Sequence, residues 1–175
     1  MVILVDERGT PIGTAPKRVV HTAETPLHLA FSCHVFRPSG QDGGEQVLVT
    51  RRAVTKRTFP GVWSNAFCGH PAPGESLERA VVRRAERELG LRLTALELVL
   101  PDFRYRAADA SGVVENELCP VYRAVVDTDP LPAGDEVDDW AWTTPSALRS
   151  AVDAAPFAFS PWLGLQLAAW TGFGR

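Results

Sequence analysis

The sequence predicts an α/β (α+β) sandwich. Three observations point there. Residues 27–36 alternate with the period of a strand, placing Leu27, Leu29, Phe31, Cys33 and Val35 on one face. Leu77–Leu89 carries apolar residues at helical spacing. Strand-like stretches lie on both sides of that one central helix. The 175 residues amount to one domain, so residues 1–175 are read as a single unit.

The elements follow in chain order. The opening apolar run, Val2–Val5, is shorter than the roughly 7–15 apolar residues of a secretory signal. Residues 46–51 read as the partner of strand 27–36, and the Gly-rich stretch 37–45 (RPSGQDGGE) as the hairpin loop between them. In the helix, Leu77, Ala80, Val81, Ala85 and Leu89 form the buried stripe, and Gly90 is the stop. Residues 96–105 and 115–126 read as two long strands joined by a turn at 107–112, and 139–143 as a short one. Thr144-Pro145 and Ser160-Pro161 each place an N-cap before a proline at the first helical position, opening two further helices.

Composition narrows the function. Apolar residues at 45% and charged residues at 22% exclude a disordered chain. The 18 basic and 21 acidic residues give a net charge of −3, which excludes nucleic acid as the main partner. No window approaches the roughly 20 apolar residues of a membrane span. Three cysteines, an odd number, with no signal segment predict free thiols and a cytoplasmic protein.

Three groups of polar residues ask for a role. Glu115 and Glu117, two apart on a strand, point to one face, where two carboxylates repel unless a cation holds them. His21, His28 and His70 could complete a site for a divalent transition ion. The alternative is a wet sheet face with scattered imidazoles. His34 shares the face of His28 but lies about 20 Å further along a strand, so those two cannot share an ion. Cys68 sits in an irregular loop, NAFCGHPAPGES, as a candidate ligand, acid/base or nucleophile, whereas Cys33 and Cys119 read as small buried hydrophobes. Lys17, Arg51, Arg52, Lys56, Arg57, Arg83 and Arg84 stand near element ends, where a phosphate cradle can form, although solvated surface is the commoner fate of such residues. Glu88, one turn after Arg84, reads as a plain i,i+4 partner.

These residues stand in a familiar order. Residues 69–91 (GHPAPGESLERAVVRRAERELGL) resemble the Nudix box, with Gly69, Glu75, Arg83, Glu88, Gly90 and Leu91 in place. Arg84 and Arg87 replace two of the acids that hold Mg²⁺ in Nudix hydrolases, which argues against ordinary diphosphate hydrolysis. The stretches HTAETPLHLAFS (21–32), VLVTRRAVTKRTFPGVWSNAFCGHP (47–71), PDFRYRA (101–107), SGVVENELCPVY (111–122) and FSPW (159–162) resemble the type I isopentenyl diphosphate isomerases. The resemblance covers most of the chain. It departs from the family at the insertion 37–45, which is expected to lie away from the site.

The resemblance implies a Nudix-like mixed β-sheet between α-helices and a 1,3-allylic proton shift interconverting isopentenyl and dimethylallyl diphosphate. It implies a Mn²⁺ or Zn²⁺ site at His21, His28, His70, Glu115 and Glu117, and a catalytic pair, Cys68 and Glu117, on opposite faces of the substrate with Tyr105 nearby. Glu88 is implied as a ligand of a Mg²⁺ that touches the diphosphate. Lys17, Arg52, Lys56 and Arg84 are implied as diphosphate-binding groups and Trp162 as a wall of the hydrocarbon pocket. The implied partner is a small prenyl diphosphate, taken by a monomer or small homo-oligomer. A Nudix hydrolase and a non-catalytic metal- or ligand-binding module are the competing readings.

Overall fold

In a computed structural model of the chain, which describes residues 1–40 and 44–174, twelve strands and four helices form two mixed sheets with helices on both faces of the larger. In order these are β1 (Val2–Val5), β2 (Pro11–Ala15), α1 (Lys17–Val20), β3 (His28–Leu29), β4 (Phe31–Pro38), β5 (Glu45–Arg52), β6 (Trp63–Asn65) and β7 (Phe67–Gly69). Then come α2 (Leu77–Leu89), β8 (Ala95–Leu100), β9 (Arg104–Ala108), β10 (Val114–Leu118), β11 (Val121–Val125), β12 (Val137–Thr143), α3 (Pro145–Ala154) and α4 (Pro161–Ala169). The smaller sheet runs β2-β1-β3-β10-β9 and the larger β12-β5-β4-β11-β8. Among the described residues no helix is long and apolar enough to cross a membrane.

Three strands expected to be continuous are broken, and the breaks share one cause. Strand 27–36 divides at Ala30 into β3 and β4, strand 96–105 divides at residues 101–103 into β8 and β9, and strand 115–126 divides at Cys119-Pro120 into β10 and β11. At each break the chain leaves one sheet for the other. Ala30 donates to Leu118 O at 2.9 Å, Ser32 to Pro120 O at 3.0 Å and Cys119 to Phe103 O at 2.8 Å, so the crossing is a hydrogen-bonded seam. Alternation alone carries no signal for such a change of partner. The run Val2–Val5 is itself a strand, between β2 and β3.

The larger sheet has a fork. β4 and β5 pair from Phe36–Pro38 to 45–47 and then splay apart. β6 pairs with β5 and β7 with β4 inside the gap. Carbonyls at the fork lack strand partners, and side chains replace them. Asn65 donates to the carbonyls of Cys33 and Phe67, and Thr50 to those of Asn65 and Ala66. The fork carries Cys68 to the wall of a cavity. Of the stretch 37–45 expected as the hairpin loop, Arg37, Pro38 and Glu45 instead extend the two strands, and residues 41–43 lie outside the described residues.

Alternation assigns the faces of the sheet. Phe31, Val35, Leu48 and Tyr122 meet α2, whose Ala80, Val81, Ala85 and Leu89 are fully buried. Phe36, Val47 and Val49 meet Leu148 and Val152 of α3 and Leu163 and Leu167 of α4 on the other side. Gly90 ends α2 in the left-handed conformation at φ 61°, and its N–H caps Glu86 O. Thr144 caps α3 through its hydroxyl as expected. Ser160 occupies the capping position of α4 but makes no side-chain cap, because its hydroxyl is engaged with Ser64 Oγ at 2.9 Å.

Candidate active site

The seam between the sheets opens into a cavity of about 630 Å³. Three neighbouring strands of the smaller sheet supply its floor. Glu117 on β10 is the register partner of His28 on β3 and of Tyr105 on β9, so three side chains stand in one row. Glu115 follows two positions away on the same face. His21 comes from the residue ending α1, and His70 from the residue after β7.

Four of the five expected metal ligands converge. One ligand atom from each of His21, His28, His70 and Glu117 lies within 4.8 Å of the others. Glu117 Oε1 is 3.2 Å from His70 Nε2 and 3.5 Å from His28 Nε2. His28 donates Nδ1–H to Pro26 O at 2.9 Å, which turns Nε2 to the cluster, where the neutral ring offers a lone pair and the protonated ring donates to Glu117. Glu115 stands beside this group. Its Oε1 accepts from Thr58 Oγ1 at 2.5 Å, and its Oε2 lies 3.0 Å from His21 Nε2. Neither Glu115 Oε2 nor His21 Nε2 makes a hydrogen bond, and both are buried. Unsatisfied buried atoms among imidazoles and carboxylates are what a bound cation relieves, so the donor set fits a divalent ion.

The charges of the cluster are mutually dependent. Burial alone would raise the Glu117 carboxyl, but hydrogen bonds from His28 and His70 hold it well below the ordinary carboxylate range. Burial would lower His28, yet its bond to Glu117 leaves it raised; burial prevails at His70, which is lowered. Tyr105 donates to Glu117 Oε2 at 3.0 Å, and burial beside Glu117 and Glu115 pushes its phenol well above the usual range.

Cys68 faces the same cavity from β7. Its Sγ is 3.1 Å from Ser32 Oγ and 3.5 Å from Asn65 Oδ1. Burial raises its thiol, opposed by the bonds to Ser32 and Asn65. Trp162, at the start of α4, closes the wall. Its Nε1 donates to Asn65 Oδ1 at 2.9 Å, and its ring meets Phe59 at 5.2 Å and Tyr105 at 5.6 Å. Cys33 and Cys119 are fully buried, as expected.

Lys17, Arg52, Lys56 and Arg84 all border the cavity. Burial and the neighbouring Arg52, Arg84 and Lys17 press Lys56 down to about 7. Burial, Arg87 and Arg83 press Arg84 to about 10, and burial with Arg84 lowers Lys17. Cations crowded out of water in this way favour an anion. Glu136 faces both Lys56 and Arg84, and Arg84 is also paired with Glu88. Glu88 is buried, and it borders a small void of about 20 Å³ together with Arg52, Lys56 and Cys68. Three other cations have separate work. Arg51 is turned to Asp138, Arg83 holds Glu75, and Arg57 donates to the carbonyls of Arg18 and His21, tying α1 to the cavity rim.

Sequence reasoning missed Thr58, Ser32, Asn65 and Glu136, which hold Glu115, Cys68 and the two cations. Ser32, Thr58 and Glu136 make their contacts with residues far along the chain, so local spacing gave no sign of them, whereas Asn65 stands only three residues before Cys68.

Comparison with known proteins agrees with this geometry. The NUDIX domain model matches residues 26–163. The isopentenyl-diphosphate Delta-isomerase of Kocuria rhizophila is 62% identical over 95% of this chain and 89% of its own length. That of Leifsonia xyli is 60% identical over 96% and 89%, and that of Corynebacterium glutamicum 51% identical over 97% and 89%. Among solved structures, DR0079 from Deinococcus radiodurans has a TM-score of 0.72 at 21% identity, covering 97% of this chain and 98% of that one. The NUDIX domain of Shewanella oneidensis NrtR, crystallised with ADP ribose, has a TM-score of 0.57 at 19% identity over 89% and 90%. Those structural likenesses show the Nudix fold. The chain belongs to the NUDIX domain family and, within it, to the isopentenyl-diphosphate Delta-isomerases.

Proposed function

We propose that this chain interconverts isopentenyl and dimethylallyl diphosphate, with Cys68 and Glu117 as the two acid/base groups. The observation that supports the reading is their placement. They reach one cavity from different sheets, β7 and β10, beside a cluster of cations able to take a diphosphate.

The double bond moves when a proton adds to the terminal alkene carbon and another leaves the carbon on the far side of the resulting tertiary cation. Both C–H events need a positioned partner, and the C–O bond to the diphosphate stays intact. Cys68 and Glu117 supply one partner each. Tyr105 holds Glu117 in place and offers it a proton-sharing hydroxyl. Trp162, held by Asn65, presents an aromatic surface to the hydrocarbon and keeps water from the cation; such a contact is worth about 2 kcal/mol when desolvated. Lys17, Arg52, Lys56 and Arg84 anchor the diphosphate, so that the five-carbon tail reaches both groups at once.

His21, His28, His70, Glu115 and Glu117 would hold a Mn²⁺ or Zn²⁺, and Glu88 a Mg²⁺ shared with the diphosphate. When bound, the first ion would supply positive charge beside the Glu117 carboxyl. Arg84 and Arg87 stand where Nudix hydrolases carry metal-binding acids, and the Arg84–Glu88 pair leaves one carboxylate in place of a cluster. This weighs against hydrolysis. Free cysteines suit a reducing, cytoplasmic setting.

The test is incubation with isopentenyl diphosphate in D₂O. Dimethylallyl diphosphate carrying deuterium is expected, with no phosphate released. If Cys68→Ala formed it as fast as the wild type, the assignment of Cys68 would fall.

A further inference from the structure

Behind Cys68 lies a line of polar side chains closed to solvent. Ser32, His34 and Gln166 are all 0% exposed. Ser32 and His34 share with Phe36 the face of β4 that meets α4, and Gln166 comes from α4. Ser32 is the register partner of Cys68 across β4 and β7, with Oγ 3.1 Å from the sulfur. Gln166 Nε2 donates to Ser32 Oγ at 2.8 Å, and His34 Nε2 is 2.9 Å from Gln166 Oε1. The Cys119 thiol donates to the same Ser32 Oγ at 3.6 Å.

Counting hydrogens gives these bonds a direction. A serine hydroxyl accepts two hydrogens and donates one. Gln166 and Cys119 supply the two that Ser32 accepts, so its own hydrogen goes to the Cys68 sulfur. Turning the Gln166 amide over would reverse the line, but His34 would then carry its proton on Nδ1. That atom is buried with no partner, and a buried N–H without an acceptor is the rarer and costlier defect. Burial lowers His34 to about 4, so the ring is neutral and its single proton sits on Nε2, facing Gln166. Asn65 Nδ2 also lies 3.5 Å from the sulfur, but it is the weaker donor. Its two amide hydrogens go to Cys33 O at 3.0 Å and Phe67 O at 2.8 Å.

We propose that Ser32, oriented by Gln166 and His34, is a positioning residue that holds the Cys68 sulfur by an O–H···S hydrogen bond and steadies it when it has released its proton. The bond strengthens as the sulfur gains charge. The proposal rests on Cys68 being the reacting sulfur.

The experiment compares Cys68→Ala, Ser32→Ala, Ser32→Thr, Gln166→Met and the Ser32→Ala/Gln166→Met double variant, with isopentenyl diphosphate as the probe. Ser32→Ala is expected to lower kcat about ten-fold at unchanged KM, the loss of one hydrogen bond to a charged acceptor. Ser32→Thr, which keeps the hydroxyl, restores most of the rate. Gln166→Met costs about three-fold, and the double variant is no slower than Ser32→Ala, because Gln166 acts through Ser32. If Ser32→Ala does not fold, Gln166→Met and His34→Phe carry the test, each expected to lower kcat about two- to three-fold at unchanged KM. A wild-type kcat in those variants, or in Ser32→Ala, overturns the proposal. So do losses from Ser32→Ala and Gln166→Met that multiply in the double variant. If Cys68→Ala itself turns over normally, the reading of Cys68 fails and this proposal falls with it. If Cys68→Ala is inactive and Ser32→Ala is unaffected, the role of Ser32 alone is lost.

Discussion

Tyr105 and Glu117 are register partners on β9 and β10, and the phenol donates to Oε2 of the carboxylate at 3.0 Å. The other oxygen of Glu117 faces His70 and His28. One side chain therefore has a hydroxyl on one oxygen and imidazoles on the other. The fold achieves this through simple strand register, with His28, Glu117 and Tyr105 abreast on three adjacent strands.

Tyr105→Phe removes the hydroxyl and leaves the ring that packs against Phe103 and Trp162. A hydrogen bond to a charged group is worth about 1.5–3 kcal/mol, so kcat should fall about ten-fold or more. The proposed diphosphate anchors are the cavity's cations and not Tyr105, so KM should hold. Steady-state kinetics with isopentenyl diphosphate separates the two.

Glu117→Gln tests the double duty of one carboxylate as acid/base group and metal ligand. The amide keeps the shape but loses the charge that faces His28 and His70. Turnover should disappear, and metal retention should drop at least about ten-fold, measured by elemental analysis of protein purified without chelator. Turnover near that of the wild type would refute both roles.

Much of this site was legible along the chain, and the limits of that reading are physical. The helix Leu77–Leu89 with its Gly90 stop is local, a matter of 3.6-residue spacing and one left-handed residue, and it is found as expected. The His/Glu cluster and the cations came from a motif order spread over most of the length, so their convergence was foreseeable without any geometry. The breaks at Ala30, 101–103 and Cys119-Pro120 were not foreseeable, because a strand that changes sheets keeps its alternation. The same holds for the supporting contacts. Ser32 reads as one more alternating residue of a buried strand until β7 is laid beside it. Glu136 carries no motif, and its meaning appears only when Lys56 and Arg84 are both found facing it.

The proposed role of Lys56 in holding the diphosphate predicts a pH limit on substrate capture. Its pKa, near 7, lies well below that of an ordinary lysine, because it is buried among Arg52, Arg84 and Lys17. The side chain is positive below that value and neutral above it, so attraction for the diphosphate weakens as pH rises through about 7. The pH profile of kcat/KM, which reports the free enzyme, should show a descending limb there. Lys56→Met should lose that limb while keeping a low, flat kcat/KM on this side of the profile.

His34 makes stability depend on acid. It is fully buried and neutral, with its pKa lowered from 6.5 to about 4 by burial, while the unfolded chain takes up its proton near the ordinary value. Between those two values the unfolded state binds more protons than the folded one, so stability falls as pH falls and is complete above about 6.5. The full penalty amounts to about 3 kcal/mol at low pH. Trp170 and Phe173 pack their rings 5.6 Å from His34, so His34→Phe would be received by aromatic neighbours. The variant should melt less steeply with acid than the wild type across this window, because it removes one group that must be protonated on unfolding. Thermal melts at a series of pH values read the difference directly. Parallel curves for the two proteins would show that His34 does not contribute to the acid limb.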